Sequence, residues 1–283
     1  MASRRARTKV AYQGEPGAYS EDAVVAVFEE RVDLVPCMEF RDAFDAVDAR
    51  RATHAVVPVE NSIEGTVAQV NDLLFEHDLG VTGEVIVPID HCLIGNARAT
   101  VEGIRTVYSH PQALGQCRRF LLRHPAWKQI PSHDTAGSVK LIRDRGRKDE
   151  AAIASRRSAQ LYRMKVLAEG IQTDHENYTR FFVLEKHPRR IAGANKTSIA
   201  FVAKNVPGAL HACLGEFATR GINLTKMESR PRRARPWNYV FFVDFDGSMD
   251  DPTCKEAVGA LTSTAGLVKV LGSYRRGTRP RAR

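Results

Sequence analysis

The chain has 283 residues, of which 43% are hydrophobic and 27% charged, and its formal net charge is +9. This length and composition allow a buried core and are more typical of two compact domains than of one. No apolar run approaches the roughly 20 residues needed to cross a bilayer, and the charged N-terminus lacks the apolar stretch of a secretory signal. We therefore expect a cytoplasmic protein with no membrane partner.

The positive charge is concentrated at the two ends of the chain. Residues 1–9 and 275–283 contain arginine and lysine but no acid, so the rest of the chain is formally neutral. Basic tails on a neutral body predict solvated ends, and we expect no nucleic-acid partner. Deletion of residues 1–8 and 276–283 is expected to leave stability and activity nearly unchanged.

The first two-thirds of the chain repeats one unit, in which a short apolar run is followed by a polar turn and a helical pattern. The apolar runs lie at residues 9–13, 55–59, 104–108 and 151–154. Ser20 is expected to cap the first of the helices that follow, and Ser155 stands before the last, which is expected to run through Leu161. This alternation predicts an α/β fold with a largely parallel sheet, whose ligands gather where strands end and helices begin.

The pattern changes after a linker between Lys186 and Lys196. Apolar or alternating segments predict strands at residues 197–203, 223–231, 237–245 and 267–274. Helical patterns at 207–219 and about 251–262 complete a βαββαβ order. That order is typical of a separate ferredoxin-like domain with an antiparallel sheet.

The run from His175 to Phe182 places an amide, a hydroxyl and a guanidinium at the start of an extended segment. Asn177, Thr179 and Arg180 together suit a small polyanion whose hydroxyl must be helped to leave. A strand start with a hydrogen-bonded threonine and a surface arginine would give the same pattern.

Several segments, in the same order, resemble the prephenate dehydratase family. They are YQGEPGAYS at 12–20, PVENS at 58–62, SHPQALGQ at 109–116, DTAG at 134–137 and TRF at 179–181. The resemblance extends from about Lys9 to Tyr274 and implies the monofunctional form. It implies a lyase that converts prephenate to phenylpyruvate with loss of water and carbon dioxide, using no metal and no organic cofactor.

The resemblance also implies an architecture. The catalytic domain, residues 8–187, should consist of two α/β lobes around a cleft in the manner of periplasmic binding proteins, with chain crossings near 88 and 172. Family positions in the cleft correspond to the proposed catalytic residues Thr179, Asn61, Ser109 and Gln116 and to the proposed substrate-binding residues Ser20, Glu60, Thr135 and Arg180. A threonine hydroxyl is too weak an acid to protonate a leaving group unaided, so Thr179 is interpreted as a positioned donor.

Alternative roles remain open for most of these residues. Asn61 and Ser109 could be simple caps, and Gln116 could lie on a helix surface. Arg180 could clamp a carboxylate of the substrate or pair with a neighbouring acid, and Thr135 could cap a helix or contact substrate. His110, beside a proline, is expected to be a turn histidine satisfied by the backbone and not an acid catalyst.

Residues 197–275 resemble the ACT domain that binds phenylalanine in this family. The matching motifs are GALH, Gly208, Ala209, Leu210 and His211, and ESRP, Glu228, Ser229, Arg230 and Pro231. The amides at a helix start have no intrahelical partner and suit a carboxylate, although the motifs could also be an ordinary helix opener and an exposed strand. The resemblance implies allosteric control by phenylalanine and a homo-oligomer, a dimer or a tetramer. Cutting near Ala194 is expected to leave an active fragment that no longer responds to phenylalanine.

Two other functions remain possible. An arogenate dehydratase would act on the amino-acid analogue of prephenate, and a non-catalytic module of the same fold would sense a small anion.

Overall fold

The computed structural model describes residues 7–29, 32–232 and 239–280. The strands in these ranges form three sheets, two in the N-terminal two-thirds and one in the C-terminal third. Part of each basic tail, residues 1–6 and 281–283, and the start of the strand predicted at 237–245 lie outside the described residues.

The first lobe is built on a mixed sheet. Its elements are β1 (Lys9–Gln13), α1 (Tyr19–Phe28), β2 (Asp33–Cys37), α2 (Phe40–Asp48), β3 (His54–Asn61), β4 (Gly65–Thr66), α3 (Ala68–Glu76), β5 (Gly80–Pro88) and the late strand β11 (Tyr178–Glu185). The sheet order is β2-β1-β3-β11-β5. Strands β1, β2 and β3 are parallel, whereas β11 runs antiparallel to both of its neighbours.

The second lobe has the same kind of sheet. Its elements are β6 (Cys92–Gly95), a 3-10 turn (Val101–Gly103), β7 (Thr106–Ser109), α4 (Pro111–Gln116), α5 (Arg118–Leu121), β8 (Lys128–Pro131), α6 (Thr135–Arg145), β9 (Glu150–Ala154), α7 (Arg156–Tyr162) and β10 (Lys165–Ala168). The order is β10-β6-β9-β7-β8, and only β7, β8 and β9 are parallel.

The prediction of a largely parallel sheet is therefore wrong in detail, although the α/β class is confirmed. The chain leaves the first sheet after Pro88 and returns to it at Tyr178. The first strand after each crossing, β6 in the second lobe and β11 in the first, runs antiparallel to both of its neighbours, because it enters a lobe instead of continuing a strand-helix-strand unit.

The two lobes contact each other directly at Gly17. Its carbonyl accepts hydrogen bonds from the hydroxyls of Ser155 and Ser158 at 2.9 and 2.8 Å. Gly17 has φ +92°, and a side chain there would begin 3.0 Å from the Ser158 backbone. Only glycine therefore fits this contact between the lobes. Ser155 also caps α7, since its hydroxyl accepts from the amide of Ser158.

The C-terminal domain has the predicted βαββαβ order. Its elements are β12 (Lys196–Val202), α8 (Ala209–Ala218), β13 (Leu224–Pro231), β14 (Tyr239–Asp246), α9 (Pro252–Thr264) and β15 (Leu267–Tyr274). The four strands form an antiparallel sheet in the order β13-β14-β12-β15. Helices α8 and α9 cover one face of this sheet and bury a core that includes Phe201, Phe217 and Phe245.

The other face of the C-terminal sheet packs on the first lobe. Val81, Phe182 and Leu184 of the lobe belong to the same buried cluster as Phe242 and Leu271 of the C-terminal domain. The two domains therefore share a hydrophobic core, unlike domains joined only by a linker.

The C-terminal tail lies across this junction. The amide of Gly277 donates to the Glu84 carboxylate at 3.0 Å, and Arg275 donates to the carbonyl of Ala192 at 2.9 Å. The guanidinium of Arg279 lies 5.6 Å from the centre of the Tyr178 ring. Residues 275–280 therefore contact the body of the protein, although all of them except Gly277 are exposed to solvent, as predicted for the tail.

The described helices include none with the length and apolar character needed to span a membrane. All five cysteines are unpaired, and all except Cys37 are buried.

Candidate active site

The cleft between the lobes is formed where strands of both sheets end. Asn61 ends β3, and Thr179 lies directly opposite it on β11, because β11 runs in the reverse direction. The register shifts between Arg180 and Phe181, and such bulges often occur next to active sites, where they change the direction of a side chain. The topology thus pairs two predicted catalytic residues that are far apart in sequence.

Six polar side chains connect the lobes through a chain of hydrogen bonds, which we call the amide relay. The amide nitrogen of Asn61 donates to the Thr179 hydroxyl at 3.0 Å and to the Asn177 side-chain carbonyl at 2.8 Å. Asn177 donates to the side-chain carbonyl of Gln116 at 2.9 Å. His91 Nε2 lies 2.8 Å from the same Gln116 oxygen, and its Nδ1 lies 2.9 Å from the Tyr19 hydroxyl.

The orientation of Asn61 determines what Thr179 can do. Asn61 Oδ1 accepts from the backbone amides of Ile63 and Glu64, each at 3.0 Å, so its Nδ2 must face Thr179. The Thr179 hydroxyl therefore accepts a hydrogen bond from Asn61, and within the described ranges its own proton has no protein acceptor. Accepting one hydrogen bond makes a hydroxyl a stronger donor of the next.

The other end of the relay leaves a second donor available. Gln116 Oε1 accepts from His91 and Asn177, so the Gln116 amide nitrogen can point toward the cleft. Burial lowers the pKa of His91, which keeps the ring neutral with a proton on Nε2 and a lone pair on Nδ1. Burial also raises the pKa of Tyr19 well above its usual value, so Tyr19 remains a donor.

A cavity of about 370 Å³ lies beside Gln116. Arg118 and Arg119 line it, both are exposed, and neither has a carboxylate partner among the described residues. The carboxylates of Glu64 and Asp174 line the same cavity. Its volume is in the range that holds a small organic molecule, and it offers both signs of charge.

Three other predicted cleft residues do not join the relay. Ser109 is fully buried and donates to the Ile153 carbonyl at 2.6 Å. Ser20 does not cap α1 as predicted, because the helix begins at Tyr19 with Ala18 as its cap, and Ser20 is buried in the first turn. Thr135 opens α6, but the capping side chain is Asp134, which accepts from the amide of Gly137. For all three residues, a role in substrate binding stays a prediction.

His110 takes the position expected of it. Its Nδ1 accepts from the backbone amide of Gln112 at 3.3 Å, as the cap of α4.

Glu60 and Arg180 belong to a different site, on the face of the sheet that meets the C-terminal domain. The Arg180 guanidinium lies 3.2 Å from Glu60, 3.1 Å from Glu84 and 2.5 Å from Asp244. Of the two roles considered for Arg180, the structure favours the ion pair. Its partner Asp244 is 64 residues away in sequence, which local pattern reading could not reveal.

Sequence analysis did not select four residues of this region. Tyr19 lies inside the YQGEPGAYS segment, and Arg118 and Arg119 follow SHPQALGQ almost directly. The motifs therefore located the segments that carry these three residues, but not the residues themselves. His91 lies in the first crossing between the lobes, and no periodic pattern marks it.

The residues of the two predicted effector motifs lie at the start of α8 and along β13. Gly208 caps α8 with φ 80°, a backbone conformation that favours glycine. Along β13, Glu228 and Arg230 are partly buried, while Ser229 and Pro231 are exposed. Arg230 forms an ion pair with Asp72 of α3 at 3.2 Å.

Fold and site together define a two-domain protein with a small-molecule cleft between two α/β lobes. A family model described as prephenate dehydratase matches residues 10–189, and the ACT domain model matches residues 197–262. The chain is 42% identical to arogenate dehydratase/prephenate dehydratase 2 of Arabidopsis thaliana, over 96% of this chain and 74% of that one.

Two solved structures are similar over almost the whole chain. Prephenate dehydratase from Arthrobacter aurescens, in complex with L-Phe, is 31% identical with a TM-score of 0.88, covering 95% of this chain and 90% of that one. GqqA, described as a quorum-quenching acylase, is 31% identical with a TM-score of 0.85, covering 94% and 97%. The chain belongs to the prephenate dehydratase family, lyases of aromatic amino acid biosynthesis, and carries a C-terminal ACT domain.

Proposed function

We propose that this protein converts prephenate to phenylpyruvate. The observation that carries the proposal is the direction of hydrogen-bond donation at Asn61. Asn61 donates to the Thr179 hydroxyl, so the proton of that hydroxyl remains available in the cleft. Gln116 presents a second neutral donor from the opposite lobe. Two fixed neutral donors suit a reaction in which charge develops on one oxygen.

Two bonds of prephenate break in the reaction: the bond between the ring and its carboxylate, and the bond between C4 and the hydroxyl oxygen. The electron pair of the bond to the ring carboxylate moves into the ring, carbon dioxide leaves, and the C4–oxygen bond breaks as the ring becomes aromatic. The departing hydroxyl gains negative charge, and we assign the stabilisation of that charge to a hydrogen bond from Thr179, while the proton that converts hydroxide to water comes from solvent. Assistance of this kind contributes about 100- to 10,000-fold to the rate.

Prephenate carries two carboxylates, which need cations. Arg180 and Arg157 are engaged with acids elsewhere in the fold. Arg118 and Arg119 line the 370 Å³ cavity without such partners in the described chain, and we assign the substrate carboxylates to them. Arginine suits this task because its planar donors match a carboxylate.

The second candidate is arogenate, in which an ammonium group stands beside one carboxylate. Glu64 and Asp174 line the same cavity and could receive that ammonium group, and the plant relative named above includes arogenate dehydratase in its description. The deciding measurement compares kcat/KM for the two substrates, with phenylpyruvate detected by ultraviolet absorbance and phenylalanine by chromatography. Asp174→Asn should lower kcat/KM for arogenate and not for prephenate if arogenate is the substrate.

The proposal extends to regulation and assembly. Phenylalanine is proposed as an inhibitor bound by the C-terminal domain, residues 197–275, because the related Arthrobacter enzyme is described in complex with L-Phe. Met227 and Val270, on the two outer strands of that sheet, are 51% and 41% exposed, and we propose that they take part in subunit pairing. A solution mass measurement tests dimer against tetramer. The catalytic domain is assigned to residues 8–187, and the cytoplasmic location remains a prediction.

An acylase function, as described for GqqA, would usually need an activated nucleophile. Burial raises the pKa of Cys92 to about 11 and of Cys117 to about 12, so these thiols near the cleft stay protonated at neutral pH. The decisive test of the main proposal is turnover of prephenate by the purified full chain. No phenylpyruvate from the wild-type protein would refute it, and turnover of arogenate alone would favour the second candidate.

A further inference from the structure

The strand pair that carries Asn61 and Thr179 has a second face, which the C-terminal domain covers. Glu60 and Arg180 are the next residues on the same two strands, and they lie opposite each other in the register. Side chains of consecutive strand residues point to opposite faces. Thr179 thus points toward the cleft while Arg180 points toward the C-terminal domain.

Six charged residues meet at this junction, and we call them the interdomain charge cluster. The first lobe contributes Glu60, Glu84 and Arg180, and the C-terminal domain contributes Lys196, Lys226 and Asp244. The cluster contains three cations and three carboxylates, so the charges balance only when both domains are in place.

The cluster is deeply buried. The side chains of Glu84, Asp244 and Lys196 are 1%, 6% and 8% exposed. Burial alone would raise the pKa of Asp244, but Arg180 and Lys196 hold the pKa of that carboxyl below its usual value. A buried charge without its partner is strongly destabilising, so the cluster favours one relative arrangement of the two domains.

Within the cluster, Arg180 is incompletely satisfied. Its Nε has no hydrogen-bond partner in the part of the chain that the structure describes, and its Nη2 contacts Glu60 at 3.2 Å without hydrogen-bond geometry. Asp244, by contrast, accepts from both Arg180 and Ser198. Nη1 of Arg180 donates to Asp244 of the C-terminal domain at 2.5 Å and to Glu84 of the first lobe at 3.1 Å, so Arg180 is held from both domains and the shorter bond goes to the C-terminal one.

We propose that the C-terminal domain positions the catalytic strand pair through the interdomain charge cluster, with Arg180 and Glu60 as positioning residues for Thr179 and Asn61. This inference rests on the proposed function for the roles of Thr179 and Asn61. A shift of Asp244 or Lys226 would move Arg180 or Glu60, each covalently joined to a relay residue. The 3.0 Å bond between Asn61 and Thr179 would then lengthen or turn.

The same geometry gives an effector a route to the cleft. Lys226 and Arg230 lie on one face of β13, and both form ion pairs with the first lobe, Lys226 with Glu60 at 3.6 Å and Arg230 with Asp72 at 3.2 Å. Arg230 belongs to the proposed phenylalanine motif, four residues from Lys226. A ligand that displaces β13 would therefore move Lys226. Lys226 pairs with Glu60, and Glu60 is an ion-pair partner of Arg180.

The test uses the full chain and three variants. Asp244→Asn removes the charge closest to Arg180 with little change in shape, and Lys226→Met removes a charge at the edge of the cluster. The matched control is Lys269→Met, another lysine that joins the domains. Its Nζ donates to carbonyls at and just after the end of α3, those of Leu74 and Phe75 at 3.0 and 3.3 Å and that of His77, and among the described residues it forms no hydrogen bond or ion pair with the strand pair.

The first measurement is amide hydrogen exchange, which does not depend on activity. Asp244→Asn and Lys226→Met should accelerate exchange in residues 57–64 and 177–184 by about 10-fold or more relative to wild type, whereas Lys269→Met should leave both segments unchanged. Equal exchange in all four proteins, or equal acceleration in the Lys269→Met control, overturns the proposal. If Asp244→Asn fails to fold, Lys226→Met alone decides.

The second measurement separates positioning from general destabilisation. At a temperature where all proteins are folded, kcat for prephenate should fall about 5-fold or more in Lys226→Met while KM stays within about 2-fold, because the change affects the transition state and not substrate binding. Saturating phenylalanine should inhibit this variant less than the control, although calorimetry shows it bound. A wild-type protein inert toward prephenate refutes the proposed function instead, and the exchange comparison still decides the positioning role.

Discussion

Cutting the chain near Ala194 should yield an unstable fragment, contrary to the expectation from sequence. Residues 1–194 retain both lobes but lose the sheet that covers Val81, Phe182 and Leu184, which are at most 3% exposed in the intact chain. Fully burying such a side chain is worth about 1.5–3 kcal/mol. If half of the burial of these three side chains comes from the C-terminal domain, the free energy of unfolding of the fragment is lower by about 2–5 kcal/mol.

That loss is large against the total of about 5–15 kcal/mol that stabilises a typical domain. The charged residues add little to it, because water would hydrate Glu84 and Arg180 once the cover is removed. The melting temperature should fall by about 5–20 °C, at roughly 2–4 °C per kcal/mol for a chain of this size. The exposed apolar face should also promote self-association.

The assay compares residues 1–194 with the full chain by circular dichroism, size exclusion and prephenate turnover. As a control, the full chain is cleaved within residues 188–195, so that both pieces are present. The nicked protein should keep its pieces together and retain activity, because the shared core needs no covalent link. A monomeric fragment that melts within about 2 °C of the full chain would refute this account of the interface.

Four further predictions concern the site and the tail. Thr179→Ala should lower kcat by about 100- to 10,000-fold with an unchanged circular dichroism spectrum, while Thr179→Ser retains more; more than about a third of wild-type turnover in the alanine variant would contradict the donor role. Arg118→Gln and Arg119→Gln should raise KM for prephenate by about 10-fold or more, as expected for lost carboxylate contacts, and an unchanged KM in both would exclude them. Burial lowers the pKa of His91 below its usual 6.5, so the unfolded chain takes up the proton more readily than the folded one. The free energy of unfolding should therefore fall as the pH drops below about 6.5, by up to about 1.4 kcal/mol per pH unit. The fall should be smaller in His91→Gln. Deleting residues 276–283 should lower the melting temperature by several degrees, since Gly277 bonds to Glu84, whereas deleting 281–283 alone should not.

The sequence was sufficient where the deciding interactions are local. The bounds of β1 were predicted residue for residue, because an apolar run ends at a glycine turn. The helix after Ser155 was predicted to end at Leu161, one residue before its observed end at Tyr162. The same reasoning misplaced the cap of α1, because Ala18 has the extended backbone of a cap without a capping side chain.

Interactions between distant segments were less accessible. Strand direction depends on where the chain crosses between lobes, so the antiparallel course of β11 could not be read from its own residues. The role of Arg180 depends on Asp244 in another domain. Motif resemblance found Asn61, Gln116 and Thr179, whereas their joint hydrogen bonding required the fold.

The polarity of the amide relay depends on a single atom of Asn61. Spontaneous deamidation, a slow ageing reaction of asparagine, would replace the Nδ2 donor by an oxygen and add a negative charge. Oδ1 could still accept from Ile63 and Glu64, but the Thr179 hydroxyl would have to donate to the new oxygen. The proton now available in the cleft would then be held inside the protein. An aged sample could therefore keep its fold, its mass within about one dalton and its oligomeric state while its turnover declines.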